Sequence, residues 1–398
     1  MNRTGRATWR RAATITVVLV CVGYAPIAMT ELWPYAHRGA PALGEWLLGR
    51  AVSPRYVADA LATRIGPYAR SLTPMILHTV LGGLLMLLGP VQLLSALRRR
   101  RRLHRAVGVV FALTVYASMA GAAVYLARTA PADAFSGPAF WIVLATILVG
   151  TVASTTFGIL AAVTNYPELH QRWLLLCYAY LMTAPLLRLE WSALPALLPG
   201  LSMADINRVA VMHLGSVVVF GALLASRALD SRDRLPGVRG TWVPAPVLIA
   251  AHAAGAPALA WIIASYLGRG PTGHRLLAAY LLPFAASYAV MFLGQRRAGR
   301  NGRSWAREEW RLHLVGLCLA PVLSVGAGLL LERYGGLDRG TAWDAGLAIG
   351  CGMLAFEATT VVSLRVVRGR AALKREQRAT TAPRPAPDPA PAQGAPAR

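Results

Sequence analysis

Residues 73–127 read TPMILHTVLGGLLMLLGPVQLLSALRRRRRLHRAVGVVFALTVYASMAGAAVYLA. Two apolar runs, 73–95 and 105–127, flank a turn that holds Arg98 to Arg102. Each run reaches the ~20 residues an α-helix needs to cross bilayer hydrocarbon. Neither alternates apolar and polar residues, as a membrane β-strand of about 10 residues would. The stretch therefore reads as a transmembrane helical hairpin. The same pattern recurs at 12–30, 138–163, 172–190, 204–226, 243–267, 274–294, 311–331 and 342–364. The expected fold is an all-α polytopic integral membrane bundle of about ten transmembrane helices. Pro and Gly inside the runs are compatible with it, because neighbouring helices can satisfy freed backbone groups.

Composition agrees. Of 398 residues, 56% are hydrophobic and 15% charged, against about 45–50% and about 25% for soluble domains. Disorder, which needs low hydrophobicity, is excluded for the bulk of the chain. The net charge of +24 comes from 41 Lys+Arg against 17 Asp+Glu. Most of the basic residues fall in segments that share a side with the N-terminus if the runs alternate across the bilayer. The positive-inside rule then predicts a plasma membrane protein of bacterial type with both termini cytoplasmic. The charge needs no nucleic-acid partner, and the cytoplasmic face should attract anionic lipid. The four cysteines, Cys21, Cys177, Cys318 and Cys351, each lie inside an apolar run. None is in a CxxC pair, so no redox dithiol or thiolate metal site is indicated.

The expected organisation is a first helix (1–30), an outer loop (31–72) with a short helix near 53–65, a membrane core (73–226), a cytoplasmic linker (227–240), a four-helix region (241–366) and a Pro/Ala-rich disordered tail (367–398). The basic start of the first helix resembles a signal peptide, but the apolar run spans and no A-x-A site follows it. It is read as an uncleaved anchor.

Histidines carry the most specific expectation. His78 lies about 7.5 Å and His213 about 13 Å below the outer ends of their helices, at ~1.5 Å per residue. His104 and His170 open two helices on the inner side. Two His per side from four helices can hold two stacked b-type haems, each with two imidazole ligands. Gly82, Gly108 and Gly215 near these histidines leave room for a flat macrocycle. Arg188 and Arg208 would pair with the outer propionates, and Arg105 and Arg172 with the inner ones. The competing reading makes His104 and His170 interfacial side chains that snorkel and the glycines packing residues. His37, His252, His274 and His313 form no pairs by depth.

The motifs of residues 73–226 resemble an uncharacterised bacterial family of polytopic membrane proteins, domain of unknown function 2306. They are a His-led helix ending in Gly-Pro-x-Gln (His78, Gly89, Pro90, Gln92), a basic turn with His-Arg-x-x-Gly (His104, Arg105, Gly108), and His-x-Arg-Trp followed by a late Arg (His170, Arg172, Trp173, Arg188). Val109 stands where the family pattern has Arg. The resemblance implies a membrane bundle and supports this set of histidines, but it implies no reaction. The four-His layout is similar in outline to two-haem transmembrane cytochromes.

Two functions remain open at this point. One is a transmembrane haem b electron-transfer protein serving a redox partner or quinone. The other is a haem-free transporter or scaffold with a polar intramembrane cavity involving Arg188, Glu190, Arg208 and Glu357. Glu357 is either a proton or cation site or the ion-pair partner of an Arg such as Arg365. No P-loop, GxSxG or HExxH motif points to soluble-type catalysis.

Overall fold

The computed structural model of the chain describes residues 3–37, 40, 42–229, 237–238 and 241–381. The described residues form α1 (Arg3–Thr30), α2 (Trp33–Ala36), α3 (Leu43–Ala51), α4 (Pro54–Arg70), α5 (Leu72–Leu93), α6 (Ser95–Arg99), α7 (Arg101–Arg128), α8 (Pro138–Val163), α9 (Pro167–Leu181), α10 (Thr183–Leu197), α11 (Met203–Leu229), α12 (Ala245–Leu267), α13 (Gly270–Arg300), α14 (Ser304–Tyr334) and α15 (Arg339–Thr381). Among them, nine helices are long and apolar enough to cross a membrane. The protein is a polytopic helical membrane bundle.

The tenth expected crossing, 172–190, is divided. α9 and α10 have 15 residues each, about 22 Å at 1.5 Å per residue, too short to span singly. The break at Met182 has a local cause. Pro185 has no N–H to offer the Leu181 carbonyl. One residue earlier, the Thr183 hydroxyl donates to the Tyr180 carbonyl at 2.5 Å. α9 and α10 together still run from the α8 turn at one end of the bundle to the α11 turn at the other.

One end of the bundle gathers α2–α4 and the turns that precede α8, α11, α13 and α15. Arg70 pairs with Asp133 there at 2.8 Å. The opposite end gathers α6, the α8–α9 turn and the late turns of α15, where Arg370 pairs with Glu168 at 2.5 Å. The segment 31–72 holds three helices rather than one. α4 starts as its sequence dictates: Pro54 fills the first turn, and the Ser53 hydroxyl accepts from the Tyr56 N–H at 3.2 Å.

Close helix contacts occur where a side chain is missing. A Cβ on Gly215 would strike the Ala348 carbonyl, and one on Gly255 would strike the Cys318 carbonyl. These bring α11 against α15 and α12 against α14, the small-residue packing that membrane helices favour. The Gly-Pro pair of α5 works differently. Pro90 cannot donate to the Met86 carbonyl, and the Tyr178 hydroxyl donates to that oxygen at 3.5 Å. A Cβ on Gly89 would collide with the Tyr178 ring.

The expected division at 227–240 is not a division in packing. α15 packs against α8, α9 and α11. Glu309 of α14 lies between Arg172 of α9 and Arg227 of α11, 2.8 Å from the latter, all three side chains being buried. Glu308 accepts from the backbone N–H groups of Trp242 and Val243, fixing the start of α12. Most of the expected linker (230–236 and 239–240) lies outside the described residues. So does 382–398 of the expected tail, whose earlier part, 367–381, continues α15 as helix.

Two outcomes follow from this packing. Gly255→Ala forces a methyl into the Cys318 carbonyl and should cost about 1–3 kcal/mol. Gly221→Ala, where nothing lies within 4 Å, should be neutral or stabilising by helix propensity. Thermal unfolding in detergent separates the pair. Glu309→Gln strips two buried guanidinium groups of their shared counter-charge and should destabilise by about 3–5 kcal/mol in the same assay.

Candidate functional site

A cavity of about 240 Å³ lies between helices of the family-like region, α1, α4 and α15. Leu144, Ile147, Leu187, Leu214 and Val218 make much of its wall. One end is polar. Glu31, which follows the last turn of α1, reaches Arg188 of α10 at 2.6 Å and Arg64 of α4 at 3.6 Å. The Arg188 guanidinium stacks 4.0 Å over the Trp191 ring, and that of Arg64 lies 5.0 Å over Phe135. Arg64 also donates to the Ala60 carbonyl at 3.4 Å. Glu45 of α3 stands close enough to interact with both arginines; burial raises its carboxyl above the ordinary value, and Arg64 pulls it back. An apolar chamber therefore ends in two guanidinium groups bridged by one carboxylate.

His78 also lines the chamber. Its Nδ1 lies 3.0 Å from the Ser118 carbonyl oxygen and 3.1 Å from the Ser118 hydroxyl. A carbonyl can only accept, so Nδ1 carries the proton and Nε2 is the acceptor nitrogen. Gly82, one turn further on, meets nothing within 4 Å.

His213 does not face His78. The cavity side of α11 is given by Val211, Leu214, Gly215 and Val218, spaced i, i+3, i+4 and i+7 along one face. His213 falls on the other face, and its Nδ1 lies 2.6 Å from Glu190 Oε1. The expected outer pair is thus separated by helical phase, which depth along the axis does not register. Phase also parts Arg188 from Glu190: two residues apart on α10, they point to opposite sides.

At the opposite end, His104 and His170 are near enough for their charges to interact. His170 Nδ1 lies 2.9 Å from the Gly158 carbonyl. A Cβ on Gly108 would stand 3.6 Å from Gln92 Nε2. Three motif elements of the sequence therefore meet at one place. Among the described residues, buried His104 Nδ1 and Gln92 Nε2 have no hydrogen-bond partner.

The remaining expected arginines separate. Arg105 is exposed at the start of α7. Arg172 is buried on Glu309. Arg208 lies 3.5 Å from Asp205 and lines a second cavity. Glu357 is exposed, which corrects the reading of it as the inward-facing partner of Arg365. Arg365 instead stacks 5.1 Å over Trp305, under the influence of Glu308 and Glu309. The boundary of the run at 311 had placed both carboxylates outside the membrane helix, whereas α14 starts at Ser304.

Sequence reasoning missed Glu31, Arg64 and Ser118. The first had a signal: a carboxylate directly after an apolar helix needs a partner. Ser118 had none, since a mid-helix serine in an apolar run is ordinary.

Nothing among curated proteins or solved structures matches the chain. Residues 75–226 match the family described as "Predicted membrane protein (DUF2306)", so the likeness carried by the Gly-Pro-x-Gln and His-x-Arg-Trp motifs extends from α5 into α11.

Proposed function

We propose that this membrane protein binds an amphiphile with an anionic head, its apolar part in the 240 Å³ chamber and its head on Arg188 and Arg64. The observation that carries this is the bridge itself. Two guanidinium groups share the Glu31 carboxylate. Each has five N–H donors, so donors remain beyond those Glu31 can take. In low dielectric, charge-assisted hydrogen bonds from such donors are the strong ones. A site of this kind, mostly apolar with a few convergent polar groups, has the usual form of a small-molecule pocket. Its ligand would come from or pass to the bilayer, which makes a carrier or transporter the natural role. The basic residues of α6 and the late turns of α15 share one end of the bundle with the N-terminus, which favours both termini facing the cytoplasm.

One observation favours a second reading. A His whose Nδ1–H is fixed by a carbonyl presents a basic Nε2, the usual form of a metal-ligating imidazole. His78 would then be an iron ligand of haem b in the same chamber, with Arg64 and Arg188 on its propionates. An inner haem on His104 and His170 would complete the electron path of that reading.

A dansyl-labelled fatty acid, titrated into protein in nanodiscs, tests the first reading. Saturable binding is expected. Arg188→Gln should weaken it about ten- to a hundredfold, the loss of a charged hydrogen bond, and Leu144→Trp should block it sterically. Affinity indifferent to both substitutions would overturn the reading. A sharp reduced-minus-oxidised band in haem-supplemented protein, lost in His78→Ala, would establish the second reading instead.

A further inference from the structure

A second cavity, about 200 Å³, opens at the end of the bundle that carries α2–α4. Its wall is polar where the first is apolar. Arg208, Arg269, Asp338 and Asp344 line it. The two aspartates are committed. Asp344 takes both Arg269 nitrogens, at 2.7 and 3.2 Å, and the Tyr266 hydroxyl at 2.7 Å. Asp338 accepts from the Thr341 N–H at 3.0 Å at the start of α15. Contacts with Thr341 hold the Asp338 carboxyl below its ordinary value, so it stays ionised and engaged. Arg208 is the cation less tightly held: its contacts to Asp205 and to the Ser136 carbonyl are both 3.5 Å, and half of its side chain is exposed.

The two cavities share a wall. Phe140, Val211 and Ala348 line both. These side chains therefore stand between the polar cavity and the apolar chamber. Val211 and Ala348 are nearly buried, while Phe140 is the large and half-buried member. Phe140 sits in the first turn of α8, just after Ser136 and Gly137, both at positive φ (60° and 95°). A non-glycine residue in the left-handed region is costly and is kept where its surroundings over-determine it. What holds Ser136 is visible. Its hydroxyl accepts from Asn207 Nδ2 at 2.6 Å, and Asn207 Oδ1 accepts from Trp191 Nε1 at 3.0 Å. Trp191 is the ring on which Arg188 stacks. A continuous chain thus joins the charged end of the chamber to the turn that places Phe140.

We infer that the polar cavity is the aqueous entrance to the intramembrane chamber, that it receives anionic solutes or heads past Arg208, and that Phe140 is the gate between the two. This rests on the amphiphile reading for the identity of the ligand, but not for the existence of the passage. The test is therefore made without the ligand. All four native cysteines are buried, so the wild-type background of thiol labelling should be low. Leu144→Cys puts a thiol in the chamber, and Leu113→Cys, exposed on the outside of α7, serves as a lipid-side control. The probe is a water-soluble anionic methanethiosulfonate added to reconstituted protein. The cysteine thiolate attacks the probe's sulfenyl sulfur, forming a mixed disulfide and expelling methanesulfinate.

Labelling at Leu144→Cys is expected, faster than at Leu113→Cys. Adding Phe140→Ala should speed it several-fold, Phe140→Trp should slow it, and Arg208→Gln should slow it and remove its dependence on salt. Helical content and unfolding temperature of each variant are read alongside. A Leu144→Cys rate unmoved by both Phe140 substitutions in folded protein would overturn the entrance. Failure of the dansyl fatty acid to bind would overturn the ligand reading while leaving these rates as they stand.

Discussion

A carboxylate buried among helices has to find positive charge, and Glu31 finds two. Its side chain joins α1 to α10 through Arg188 and to α4 through Arg64. An isolated ion in such surroundings would be expensive by many kcal/mol, so the three groups are kept together or not at all. Their meeting fixes where α1 ends, which side of α10 faces inward, and why a segment that reads as a loop is folded over the end of the bundle. The chamber beneath is the space these constraints leave among helices that cannot approach more closely.

The second buried charge cluster does the same for the rest of the chain. Glu309 satisfies Arg172, a member of the His-x-Arg-Trp motif, together with Arg227. Helices beyond the family-like region therefore supply the counter-charge for a residue within it. Breaking a buried pair of this kind costs more than forming it gains. The C-terminal helices are thus an energetic part of the core and not an appended unit.

Much of the fold was legible because the bilayer imposes a length and a polarity that few residues can disguise. Runs such as 73–95 and 105–127 name their helices directly. The crossing at 172–190 was legible as a crossing but not as two helices, since Pro185 in an apolar run need not break one. The site was harder to read. Depth along an axis follows from counting residues, and it placed His104 and His170 at one end of the bundle. Facing across a bundle depends on rotation about that axis, which needs the neighbours to be known. His213 failed on that point, turning to Glu190. The Arg64 partner came from an amphipathic helix outside the membrane runs, where sequence pattern gave its position but not its target.

The central claim is that the chamber ending at Glu31, Arg64 and Arg188 is a binding site for an anionic amphiphile. The most direct measurement is a high-resolution density map of the protein purified in nanodiscs from its native membrane, with the co-purifying lipids identified by mass spectrometry. The account predicts an elongated density in the chamber with its head against Arg188, matching an acidic amphiphile in the extract. A chamber filled by repacked side chains, or one holding only ordered water, would contradict it.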